Sequence, residues 1–324
     1  MLGSEDWFSR RTLHHGSFED MDDLLRRKRE RGSRISVCLP TQNEAETIGE
    51  ILRLLREELV EGVPLVDELA IIDSGSNDGT VELARAQGAL VFDQRRVLPE
   101  HANAGGKGEA LWKSLHVLSG DIIVWLDSDI RNMHPRFVYG LVGPILRDAA
   151  IGYVKAFYRR PLHMDGRVLP DGGGRVTELV ARPLFSLFYP DLNAFIQPLS
   201  GEYAGRRDVL EAIPFLTGYG VEIGMLIDIY EQFGLDVMAQ VDLEERIHRN
   251  QNLQALGRMS FEIMQGLLMR LQNDGKIDLL EQYGDVWRGM VRDDAGYHLR
   301  QTPVRIAEKP PMNEVRAALS SGGG

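Results

Sequence analysis

The stretch Ile122-Ile123-Val124-Trp125-Leu126-Asp127-Ser128-Asp129 joins a wholly apolar run of strand length to an abrupt acidic end. An apolar run without polar alternation reads as a strand covered on both faces, as in a parallel sheet. The pattern repeats upstream. Hydrophobic spacing predicts further strands over 35–39, 68–72 and 90–92, alternating with helices over 47–59, 80–87 and 107–118. Strand and helix in alternation indicate an α/β fold with a mainly parallel, doubly wound sheet. Beyond residue 150 the reading is less regular. Gly172-Gly173-Gly174 marks a loop, and 221–233 and 259–271 read as helices.

With 324 residues, 43% of them apolar, the chain can bury one large α/β core with an elaborated second half. The expected organisation is an N-terminal arm (1–33), a nucleotide-binding α/β half (34–150), an acceptor-binding half (151–260) and a C-terminal helical segment (261–324). A net charge of −11 argues against nucleic acid as partner, so an anionic ligand requires a local cluster of cations. Cys38 is the only cysteine, which excludes an internal disulfide and a Cys-based zinc cluster; within Ile-Ser-Val-Cys-Leu it reads as a buried structural thiol. The basic run 26–31 reads as a solvated helical face. The N-terminus is polar, and no run approaches the roughly 18 apolar residues of a membrane span. A soluble, cytoplasmic protein without membrane contact is therefore expected.

Ligands of open parallel sheets bind beyond the carboxyl ends of the strands. Three such segments are polar: Pro40-Thr41-Gln42-Asn43-Glu44, Asp73-Ser74-Gly75-Ser76-Asn77-Asp78 and Asp127-Ser128-Asp129. Asp caps turns after strands, but two carboxylates at a sheet rim also suit Mg²⁺ or Mn²⁺ held jointly with a diphosphate, and the position favours the metal. The segment 73–79 has the residues of a tight turn, with a ligand contact expected on it. Gly105-Gly106-Lys107-Gly108-Glu109 opens a helix, where free N–H groups and a lysine suit a phosphate. Neither a Walker sequence nor Gly-x-Gly-x-x-Gly after a strand is present, which disfavours P-loop and dinucleotide chemistry. Asp171-Gly172-Gly173-Gly174-Arg175-Val176-Thr177 combines successive amides with a guanidinium, an anion site rather than a bare linker. His248, between Arg246 and Arg249, has no role on sequence grounds alone, and neither do His14, His15 and His101.

Together these residues resemble the retaining glucosyl- and mannosyl-3-phosphoglycerate synthases, which have a GT-A type, Rossmann-like glycosyltransferase fold. The likeness runs from about residue 34 to 260. General GT-A transferases share Leu-Pro-x-x-Asn-Glu at 39–44 and Asp-Ser-Asp at 127–129. Asp-Ser-Gly-Ser at 73–76 and Gly-Lys-Gly-Glu-Ala-Leu-Trp at 106–112 add to the match. Longer blocks are more specific: Lys-x-Phe-Tyr-Arg-Arg-Pro-Leu at 155–162, Gly-Gly-Gly-Arg-Val-Thr-Glu-Leu-Val-Ala-Arg-Pro-Leu at 172–184, Gln-Pro-Leu-Ser-Gly-Glu-Tyr-Ala at 197–204 and Gly-Tyr-Gly-Val-Glu-Ile-Gly at 218–224.

The resemblance implies a hexosyltransferase using a nucleotide-sugar and 3-phosphoglycerate. Pro40, Thr41, Gln42, Asn43, Glu44, Ser74, Lys107, Asp127 and Ser128 would hold the donor nucleotide. Tyr219, Gly220, Val221 and Glu222 would lie near its sugar. Asp129 and His248 would bind Mg²⁺ or Mn²⁺, and Gly174, Arg175, Val176, Thr177 and Asn250 the acceptor. Asp127, Asp129, Leu199 and Glu222 are the implied catalytic set. Retention without an obvious covalent nucleophile implies same-face attack, with the leaving phosphate and the Leu199 carbonyl assisting the acceptor. Glucose or mannose, and UDP or GDP, depend on pocket contacts such as Gln42, where the family often has an apolar residue; overall likeness leans to GDP-mannose. A polyprenyl-phosphate glycosyltransferase and a non-catalytic nucleotide-sugar-binding protein are the alternatives. A homodimer is expected.

Overall fold

A computed structural model describes residues 3–101, 104–160, 162–164, 167–169, 173–247, 252–281, 283–293 and 296–321. Its centre is an eight-stranded sheet. In chain order the strands are β1 Thr12–His14, β2 Ile35–Thr41, β3 Glu68–Asp73, β4 Leu90–Asp93, β5 Ile122–Trp125, β6 Tyr153–Arg159, β7 Tyr203–Arg206 and β8 Met238–Glu245. Across the sheet they lie in the order β1-β8-β6-β7-β5-β2-β3-β4. All neighbours are parallel except β7, which runs against both β5 and β6. The sheet passes through the expected partition of the chain: the arm supplies its edge strand, and strands of both halves meet at β7.

The apolar runs are apolar because both faces are covered. In β2, Ile35, Val37 and Leu39 pack with Ile71 and Val124 on one face. Cys38 joins Ala70, Ile72, Ile123 and Trp125 on the other. Burial pushes the Cys38 thiol well above its usual range, which suits the expected structural role.

The helices expected at 80–87, 107–118 and 221–233 are present as Thr80–Ala86, Gly106–Val117 and Val221–Phe233. The first helix ends earlier than periodicity suggested, at Arg56, and continues as π turns over Glu57–Gly62. The helix read at 259–271 spans Leu253–Asn273 instead, because Asn252 caps it by accepting from the Ala255 N–H at 2.9 Å. The basic run lies on the helix Met21–Arg31, where Arg26 pairs with Glu30 and Arg27 with Asp23. The C-terminal segment folds back on Gly106–Val117: Trp112 donates to the Pro310 carbonyl at 2.7 Å, and Met312 and Val315 enter the core. Among the described residues, no helix is long and apolar enough to cross a membrane.

Candidate active site

A cleft of about 540 Å³ opens beyond the carboxyl ends of β2, β3 and β5. Its sheet-side wall is Pro40, Thr41, Gln42, Glu44, Ser74 and Ser128. The three strand-end loops brace one another. The Ser128 hydroxyl donates to the Pro40 carbonyl at 3.0 Å, and Thr47 donates to the Ser128 carbonyl at 2.6 Å. The turn after β3 is closed by Asp73, which accepts from the N–H groups of Gly75 and Ser76. Asn43 does not line the cleft. Its backbone is left-handed (φ 56°), and its side chain accepts from the Asn77 N–H at 3.0 Å, so it ties two loops together.

The floor is a dense charge cluster. Gly105 and Gly106, both at positive φ, start the helix that carries Lys107. A side chain at Gly106 would press on the Gly218 backbone at 3.0 Å, so this helix end and the 218–222 segment approach as bare backbone. Lys107 Nζ lies 2.5 Å from Asp127 and 2.9 Å from Glu222. Burial disfavours its charge, but Asp127 and Glu222 outweigh this and hold its pKa well above normal. The other oxygen of Asp127 meets Arg246 at 2.9 Å, and the same guanidinium reaches Asp129 at 2.6 Å. Burial alone would raise the Asp127 carboxyl; Lys107 and Arg246 drive it far below the usual carboxylate range. Gly201 passes directly beneath: a Cβ there would lie 2.1 Å from Asp127 Oδ2.

Behind this floor the charge is buried. Glu202, fully enclosed and raised by burial, faces Arg246 at 3.3 Å and accepts from the Tyr158 hydroxyl. Lys155 is also enclosed. It donates to the Ser200 carbonyl at 2.9 Å and lies 4.3 Å from the Tyr203 ring centre, and burial together with nearby Lys107 pushes it down to about 7.

Opposite the sheet, Gly173, Gly174, Arg175, Val176 and Thr177 form the second wall, with Arg160, Leu199, Tyr219, Arg258 and Glu262 between. Gly174 is left-handed (φ 77°), and helical turns begin at Arg175, as the loop-into-helix reading anticipates. Gly220 and Val221 are buried behind the wall instead of lining it. His248 and Asn250 lie outside the described residues.

Residues 36–213 match the family described as Glycosyl transferase family 2. Glucosyl-3-phosphoglycerate synthase of Petrotoga mobilis is 52% identical over 308 residues, 95% of each chain. This chain belongs to that synthase family. The crystal structure of mannosyl-3-phosphoglycerate synthase from Rubrobacter xylanophilus superposes with a TM-score of 0.88 at 40% identity, covering 97% of this chain and 98% of that one. The Mycobacterium tuberculosis glucosyl-3-phosphoglycerate synthase, crystallised with Mn²⁺, UDP and phosphoglyceric acid, superposes with a TM-score of 0.82 at 43% identity, covering 94% and 99%. The same mycobacterial enzyme has been crystallised with Mg²⁺ and UDP. The fold is thus the GT-A type that the motifs implied.

Arg160, Gly201, Arg246, Arg258 and Glu262 of this family member's cleft, and Glu202 behind its floor, escaped the motif reading. Arg246 stood out only as a neighbour of His248, yet it bridges both Asp-Ser-Asp carboxylates across more than a hundred residues of chain. Arg160, Glu202 and Gly201 lie inside the quoted family blocks, and the blocks alone did not tell cleft residues from core.

Proposed function

We propose that the protein transfers glucose from UDP-glucose to 3-phosphoglycerate, giving glucosyl-3-phosphoglycerate with retention at the anomeric carbon. The observation that carries this reading is one cleft with Asp127, Asp129 and Lys107 on one side and Arg175 with the Gly173–Gly174 amides on the other. The first side suits a nucleotide diphosphate, the second a phosphate or carboxylate. Glucose is favoured over the mannose leaning of the overall resemblance because the 52%-identical relative is a glucosyl synthase. The mycobacterial relative has also been crystallised with UDP-glucose. The likeness to the Rubrobacter mannosyl enzyme keeps mannose as a second donor sugar.

Lys107 holds a full positive charge where the diphosphate leaves. The helix N-terminus beneath it adds backbone N–H groups. Arg175 grips the acceptor with a planar fork, and Thr177 offers a hydroxyl beside it. Leu199 lines the cleft between the two walls, suited to orient the acceptor hydroxyl through its carbonyl. Asp127 and Glu222 are both paired with Lys107, so neither is a free nucleophile, consistent with same-face attack. Asp129, with Asp127, presents carboxylate oxygen to a cation, here the Arg246 guanidinium. That donor set fits Mg²⁺ or Mn²⁺, for which Asp129 and His248 are the proposed protein ligands. When bound, the ion would neutralise charge on the diphosphate.

The chain is also proposed to pair with a second copy through the hairpin Val286–Asp293/Gly296–Pro303, on which Met290, Tyr297 and Leu299 are exposed. A monomeric mass in light scattering at assay concentration removes this claim. The decisive test of function is a product assay with UDP-glucose, GDP-glucose, UDP-mannose and GDP-mannose against 3-phosphoglycerate. Absence of turnover with every donor, in the presence of Mg²⁺ or Mn²⁺, would return the non-catalytic alternative.

A further inference from the structure

The N-terminal arm carries a side-chain cluster whose residues do not line the cleft. His14 closes β1 and His15 opens the 3-10 turn His15–Phe18. Parallel pairing sets His14 opposite Asp242 of β8, which brings both imidazoles to Glu244. Glu244 has a left-handed backbone (φ 69°) inside a break in the β8–β6 register between Asp242 and Glu245. One ligand atom from each of His14, His15 and Glu244 lies within 4.8 Å of the other two, the one such trio among the described residues.

The ring of His15 is buried, at 5% exposure. Its Nε2 faces Glu244 Oε1 at 3.2 Å. Its Nδ1 faces the Tyr139 hydroxyl at 3.1 Å and Glu19 at 3.4 Å. Metal-bound imidazoles show this division: one nitrogen on the ion, the other held by an oxygen partner that sets the tautomer. The second Glu244 oxygen lies 3.4 Å from Arg136, which leaves Oε1 turned to the rings. His14 Nδ1 accepts from the Gly16 N–H at 3.0 Å, an exposed contact that water can replace when His14 turns to an ion.

We propose that His14, His15 and Glu244 form a binding site for a borderline divalent transition-metal ion such as Zn²⁺, separate from the cleft. Two imidazoles and one carboxylate suit Zn²⁺ with a water as fourth ligand, whereas Mg²⁺ demands oxygen donors. The ion ties the arm to the end of β8, two residues before Arg246, and so steadies the strand that delivers the cleft's arginine.

The test is Zn²⁺ titration by calorimetry on full-length Asp129→Ala protein, which lacks the cleft's metal carboxylate, with excess Mg²⁺ present. A single saturable Zn²⁺ site is expected. Its affinity should fall by about tenfold or more on adding His14→Ala or Glu244→Gln, both at exposed positions. Co²⁺ in place of Zn²⁺ should give the visible absorption of a four-coordinate ion, lost in the same variants. Zn²⁺ should raise the melting temperature of the Asp129→Ala protein and leave the His14→Ala variant unmoved, a readout independent of turnover. Absence of saturable binding in Asp129→Ala, or binding indifferent to both added substitutions, would overturn the site and leave the trio as a hydrogen-bonded junction.

Discussion

Gly201→Ala adds one methyl group under the carboxylate that pins Lys107. The new Cβ would lie 2.1 Å from Asp127 Oδ2, 2.5 Å from its Cγ and 2.7 Å from Oδ1. Asp127 would have to retreat by more than an ångström to reach ordinary contact, and it has a short side chain with both oxygens engaged. Oδ1 is 2.5 Å from Lys107 and Oδ2 is 2.9 Å from Arg246, so the retreat breaks at least one charge-assisted bond. That loss costs about 1.5–3 kcal/mol. At about 1.5 °C per kcal/mol for a chain of this size, the melting temperature should fall by about 2–5 °C. Catalysis should suffer more than stability, because an ångström of misplacement at a reacting charge costs about a hundredfold in rate. Thermal unfolding by circular dichroism and initial rates of nucleotide release with 3-phosphoglycerate read the two effects. Gly49→Ala is the control: outside its own helix its methyl meets only Leu83, at 4.0 Å, so kcat/KM should be unchanged and the melting temperature should not fall. A Gly201→Ala protein with unchanged kcat/KM and melting temperature would show that Asp127 is not fixed by this contact, and the argument from a rigid floor would fail.

Asp129→Ala should abolish Mg²⁺- or Mn²⁺-dependent turnover yet leave a folded chain, since Arg246 keeps Asp127 and Glu202 as partners; unchanged activity, with a wild type indifferent to chelator, contradicts the metal assignment. Arg175→Lys should raise the phosphoglycerate KM with little change in donor KM, and Arg175→Ala should cost about 1.5–3 kcal/mol, roughly tenfold to a hundredfold or more in kcat/KM. An effect confined to donor KM would assign the loop to the nucleotide instead. Lys155, pushed down to about 7 by burial from an ordinary 10.5, makes the unfolded chain bind more protons between those values, so its contribution raises stability with pH across that window and is flat below it. Lys155→Met should therefore lessen the rise in unfolding free energy between about pH 7 and pH 9, measured by urea titration, and an identical slope in the variant would refute the buried-neutral reading.

The chain's local order was legible without coordinates. Strands β2 to β5 and the helices between them follow from hydrophobic spacing within ten or so residues, which any window of sequence displays. The strand-end loops, Lys107 at a glycine-rich helix start and the Gly173–Thr177 wall were likewise visible as composition at predictable places. Strand β7 was not: its direction depends on pairing with β5 and β6, and Tyr-Ala-Gly-Arg has too few residues to carry a period. Nor was β1, an edge of three residues whose partner lies more than two hundred residues away. Arg246 reaches Asp127 and Asp129 only because β8 runs parallel to β6 past the cleft, and His14, His15 and Glu244 meet only through the pairing of β1 with β8. Sequence determines such elements through short-range periodicity and turn chemistry. Which charges face each other across the sheet is set by strand order, a property of the whole chain that no local pattern records.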